Sequence, residues 1–82
     1  MSVLSEKSLD GLQWAARSGD LTYAEGQALL AEFCDRWGAK QFFAALEKLE
    51  RRRYIEYGTS IMYPWLTDKG RAHLPIGLRK RA

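Results

Sequence analysis

The sequence predicts one small, mainly helical α+β domain: a three-helix core containing a helix-turn-helix, then a short β-hairpin, then a short C-terminal helix. Three observations carry this. Apolar residues recur at helical spacing in three successive segments before residue 53, and Gly19 and Gly38 punctuate them. Residues 54–66 then switch to β-branched and aromatic alternation on either side of Gly58-Thr59-Ser60. With 82 residues, 46% of them hydrophobic and 2 prolines, the chain can bury one thin core and is not composed for disorder. The domain is expected to span 1–78, leaving 79–82 as a basic tail.

In the first helix, Ser5 offers an N-cap, and about thirteen residues follow before Gly19, where a left-handed C-cap residue is expected. At 100° per residue Leu9, Leu12, Ala15 and Ala16 share the core face, while Lys7, Asp10, Trp14 and Arg17 lie opposite. A tryptophan among charged residues implies a covered surface. Trp14 is expected to be partly buried, either under Leu74-Pro75-Ile76 or against the same helix of a second copy, with Arg17 and Ile76 as further partner contacts. Asp20-Leu21 offers a possible strand edge. Thr22-Tyr23-Ala24-Glu25 fits the capping box, so the second helix starts there. Tyr23, Leu30 and Trp37 repeat at heptad spacing beside Phe33 and Cys34, and Gly26 allows a close neighbour. The opposite face carries Glu25, Glu32 and Asp35 and is read as a solvated acidic strip.

Gly38 ends that helix, and the third runs from Lys40 to about Arg52 with Phe42, Leu46 and Leu49 inward. Two helices joined by a tight Gly-containing turn make a helix-turn-helix, whose second member is free on its outer side. That side carries Lys40, Gln41, Ala44, Lys48, Arg51 and Arg52, with Glu47 at its border. Tyr54–Tyr57 and Ile61–Leu66 form the hairpin, and Pro64 confines its strand to an edge or stops pairing. Trp37, Trp65, Tyr54 and Tyr63 are expected in or at the edge of the core. Thr67 or Asp68 caps a last helix reaching His73 or Leu74, which Pro75 ends; His73 faces solvent or caps that helix.

Composition also narrows function. Cys34 and His73 are the only residues of their types, so no disulfide, zinc cluster or Cys/His nucleophile pair is expected, and neither is a cofactor. No Ser/His/Asp set or Gly-rich phosphate loop can be drawn, which argues against an enzyme. Apolar runs such as Phe42–Leu46 fall far short of a membrane span, and the first residues lack the pattern of a secretory signal; a soluble, cytoplasmic protein is expected. Residues 1–50 carry net −3 and residues 51–82 net +6, so one part of the surface suits a polyanion.

The stretch Leu46-Glu47-Lys48-Leu49-Glu50-Arg51-Arg52-Arg53-Tyr54-Ile55, followed by a hairpin and then by Leu66-Thr67-Asp68-Lys69-Gly70-Arg71-Ala72-His73-Leu74, resembles the core of winged-helix regulators of the MarR-like and PadR-like kind. Their recognition helix ends in Leu-x-x-Leu-x-x-x-x-Tyr/Leu-Ile, and Leu-Thr-x-x-Gly-Arg-x-x-Leu opens the helix after the β-wing. The likeness covers residues 22–74. It implies a minimal winged helix-turn-helix that puts helix 40–52 into the major groove of duplex DNA, as a homodimer on a palindromic site, in a bacterial, archaeal or phage-encoded regulator. Two departures stand out. The wing turn Gly58-Thr59-Ser60 has no Lys or Arg, and Arg53 occupies the position before the first wing strand where Gly is common.

The expected nucleic-acid contacts are therefore Lys40, Gln41, Ala44, Lys48, Arg51, Arg52 and Arg53, with Thr59 and Ser60 at the wing tip. Cations release counterions from phosphates, and Gln or Arg can read base edges. The bland alternative is a solvated basic face whose Lys and Arg complement the helix dipole. The rival function is a winged-helix protein-interaction module, such as an adaptor or a phage protein that blocks a host or defence complex. Glu47, Glu50, the neutral wing and the acidic second helix favour that rival.

Overall fold

The computed structural model describes residues 4–58 and 64–74. Three helices precede a two-stranded antiparallel sheet and a last helical turn: α1 (Glu6–Ser18), α2 (Tyr23–Trp37), α3 (Ala39–Arg51), β1 (Ile55–Glu56), β2 (Trp65–Leu66) and α4 (Asp68–Arg71). No helix among the described residues is long and apolar enough to cross a membrane.

Local chemistry sets the helix ends. Ser5 Oγ accepts from the Ser8 amide at the start of α1. Thr22 and Glu25 form both bonds of the capping box on α2, at 3.1 and 2.9 Å. Gly19, expected in the left-handed region, stays right-handed at φ −69°, because the chain leaves α1 through successive tight turns, Asp20 N to Arg17 O and Leu21 N to Ser18 O. These turns take up Asp20 and Leu21, which form no strand edge. Gly38, at φ +90°, is both the C-cap of α2 and the N-cap of α3; its amide donates to Cys34 O and its carbonyl accepts from Phe42 N. One residue makes the whole turn between α2 and α3, in a backbone conformation that residues with a Cβ disfavour.

The core is one cluster, with Leu12, Trp14, Phe42, Leu46 and Ile55 fully enclosed and Phe33 stacked on Phe42 at 5.3 Å. Trp14 is 1% exposed, and the edge of its six-membered ring faces Gly26 of α2. This corrects the expectation that Trp14 is only partly buried, whether under Leu74-Pro75-Ile76 or against a second copy: it is enclosed within the chain. The helical projection assumed one buried stripe, whereas α1 packs against α2, α3, β2 and α4 and buries most of its circumference. Its indole Nε1–H has no hydrogen-bond partner. Asp10, also placed on the outer side, is 7% exposed. It accepts a 2.7 Å bond from Trp37 Nε1 and lies 3.3 Å from Arg36, which also reaches Glu6 at 3.4 Å. A hydrogen bond to a charged acceptor is worth about 1.5–3 kcal/mol, so this network ties the end of α2, and hence the turn into α3, to α1.

In the sheet Ile55 faces Leu66 on the core side, and Glu56 faces Trp65 on the outer side. Trp65, expected in or at the edge of the core, is 50% exposed because that register turns it outward, where its Nε1 donates to Glu56. Trp37 is half-buried and Tyr54 is buried, as expected; His73 is exposed with its ring edge-on to Tyr54. β2 begins directly after Pro64, whose carbonyl accepts from Ser18 Oγ at 3.1 Å. Tyr63 lies outside the described residues.

Arg53 is the only described non-glycine residue at positive φ, +67°. It terminates α3 in a Schellman motif: Arg53 N donates to Glu50 O and Tyr54 N to Leu49 O, and Tyr54 and Leu49 are both buried in the core cluster. A left-handed residue with a Cβ costs roughly 1–2 kcal/mol, part of which glycine returns through its greater unfolded-state entropy. Arg53→Gly is therefore expected to stabilise the fold by about 1 kcal/mol, read as a higher urea midpoint at unchanged m-value. A lower midpoint would show that the arginine side chain outweighs the backbone term.

Candidate nucleic-acid interface

The amphipathic pattern of α3 turns Phe42, Ala45, Leu46 and Leu49 into the core and leaves Lys40, Gln41, Ala44, Lys48 and Arg51 exposed along the other side. These five fall within about 100° of arc on a helical projection. Arg52 caps the helix and Arg53 follows it, both exposed. Glu47 is exposed at the border of the face and Glu50 is half-buried. Among the described residues none of Lys40, Lys48, Arg51, Arg52 and Arg53 is in an ion pair; the pairs formed are Arg36 with Glu6 and Asp10, and Arg71 with Asp68. Lys48 and Arg51 sit in the last turn, where they also complement the negative end of the helix dipole.

The N-terminus of α1 borders this face. A cleft of about 260 Å³ is lined by Ser5, Lys7 and Ser8 from that end and by Gln41, Ala44, Ala45 and Lys48 from α3. Sequence reasoning placed Lys7 on an unassigned polar side, because nothing local to the first helix shows that its start lies against the third. Lys7 extends the positive surface across the cleft.

Three carbonyls after α3 are held from one short block. Lys69 Nζ donates to Arg52 O at 2.9 Å and lies 4.5 Å from the centre of the Tyr54 ring. Thr67 Oγ1 lies 2.5 Å from Arg53 O and 3.0 Å from Tyr54 O, and Thr67 N donates to Tyr54 O at 3.1 Å. Thr67 Oγ1 also accepts from Gly70 N, capping α4. Lys69 had no part in the expected site, since its partner lies seventeen residues earlier in the chain.

Arg17 is exposed in the last turn of α1. Thr59, Ser60 and Ile76 lie outside the described residues. Burial pushes the Tyr57 hydroxyl pKa up, and Glu50 and Glu47 add to this while Arg51 opposes it. Burial, then Asp35, raises the Cys34 thiol, so less of it is thiolate at neutral pH than for an ordinary cysteine. Among the described residues no group of three His, Cys, Asp or Glu side chains could hold a metal. No family model matches the chain, and no curated protein or solved structure matches it.

Proposed function

We propose that the chain is a minimal winged helix-turn-helix that binds duplex DNA through α3, as a small transcriptional regulator acting in two copies on a palindromic site. The observation that supports this is the outer face of α3: a continuous exposed row of Lys40, Gln41, Ala44, Lys48 and Arg51, extended by Arg52 and Arg53, in which no cation is tied to a described carboxylate. Cations outside any described ion pair on an exposed helix face suit phosphates, and Gln41 at the N-terminal end of the row suits a base edge, where recognition helices do most of their reading. Lys7, across the cleft, suits a flanking phosphate.

Mobility shift on random-sequence duplex DNA across a salt series tests it. Each phosphate neutralised contributes roughly 0.9 to the slope of log affinity against log salt, so a steep negative slope is expected. Absence of any shift at low salt would sink the DNA reading. That outcome would favour a protein partner, a reading supported by the exposed Glu25, Glu32 and Asp35 on α2 and by Tyr23 and Trp65, the two strongly exposed large apolar side chains among the described residues.

A further inference from the structure

Arg51 ends α3 and Arg52 and Arg53 follow it; the Schellman bonds hold the amides of this segment, and Arg53 sits in a left-handed conformation disfavoured for its side chain. The carbonyls of Arg52, Arg53 and Tyr54 have no helical partner there. All are held by Thr67 and Lys69, through one charged donor, one hydroxyl and one amide. The hydroxyl has a single proton for two acceptors 2.5 and 3.0 Å away, and it is itself kept in place by the bond it accepts from Gly70 N. Lys69 is exposed and resembles one more phosphate-binding cation, yet its ammonium is directed to Arg52 O and the Tyr54 ring.

We infer that Thr67 and Lys69 are positioning residues for the arginine triplet: they touch no DNA and act by fixing the backbone that presents Arg52 and Arg53 to phosphates. The inference rests on the DNA reading above. It separates a neutral residue, Thr67, from any direct charge effect, because removing its hydroxyl changes no counterion balance.

The test is Thr67→Val, with Thr67→Ser as the conservative rescue and Lys69→Met measured in parallel in case the valine variant does not fold. Amide exchange at Arg53 and Tyr54 is expected to quicken by roughly tenfold, the size of one lost hydrogen bond to a charged or strained segment, while exchange at Leu29 and Leu30 in α2 stays unchanged. DNA affinity at fixed salt is expected to fall by roughly three- to tenfold on the same basis. That loss should vanish in an Arg52→Ala/Arg53→Gly background, since a residue acting through others has nothing left to position. Thr67→Ser should restore both readouts. Equal losses in the two backgrounds, unchanged exchange, or faster exchange with unchanged affinity would each overturn the positioning role while wild-type binding stands. A wild type that fails to shift duplex DNA overturns the DNA reading, and this role with it.

Discussion

Gly70→Ala is expected to destabilise the domain by about 3 kcal/mol, at the upper end of the overpacking range. A Cβ at Gly70 would collide with the carbonyl oxygen of Tyr54 and lie 2.9 Å from its carbon, far inside contact distance. The obstacle is backbone. Tyr54 O is bonded to Thr67 N, Tyr54 N closes the Schellman motif on Leu49 O, and the Tyr54 ring is buried, so the strand cannot retreat without opening the end of α3. For a domain of this size the thermal midpoint should fall by roughly 12–24 °C. Gly26→Ala is the control. Its Cβ meets only the Trp14 ring at 3.6 Å, an ordinary contact, and alanine is favoured over glycine within a helix by about 1 kcal/mol. That variant should match or exceed the parent in stability. A Gly70→Ala midpoint within the scatter of surface substitutions, about 0.5 kcal/mol, would mean that α4 does not press on Tyr54 as the structure has it.

What could be read from the sequence divides along a physical line. Signals that act within one turn of chain were legible: the Ser5 and Thr22 caps, the Gly38 break and the core stripe of α3 all appear where their chemistry places them. The Thr67 to Gly70 block was legible only as a pattern. Its cause is a close approach between backbones sixteen residues apart, with Gly70 against Tyr54, which no local rule reveals. Signals that depend on how many neighbours an element has were misread. Asp10 and Trp14 were placed outside because a single-stripe projection gives a helix one buried side, and α1 lies at the centre of the domain. Trp65 was misplaced for the related reason that a two-residue strand carries too little alternation to set its own register; the Ile55–Leu66 pair sets it. The exposed row on α3 was fully legible, because a strongly amphipathic helix on the surface needs only its own sequence to define its outer face. Lys7 and Lys69 were not, since each reaches that region from another element.

The exposed row also yields the largest expected effect on binding. Lys48→Ala combined with Arg51→Ala should leave folding intact, because both side chains are exposed and neither is in a described ion pair. The loss of helix-dipole complementarity in the last turn is worth only about 0.3–1 kcal/mol per cation. On duplex DNA, two lost phosphate contacts should reduce the steepness of the salt slope by roughly 1.8 per protein copy, since each contributes about 0.9. The loss in affinity is then greatest at low salt and narrows as salt rises. If one of the two side chains instead reads a base edge, the slope changes by only about half as much, while discrimination against a mismatched site drops by roughly 1–3 kcal/mol. Measuring slope and discrimination on the two single variants as well then assigns each side chain a role. Glu47→Ala supplies the opposite sign: removing the one exposed carboxylate at the edge of the face should tighten binding without changing the number of phosphates contacted. If the double variant binds as tightly as the parent at every salt concentration, α3 is not the DNA-contacting element.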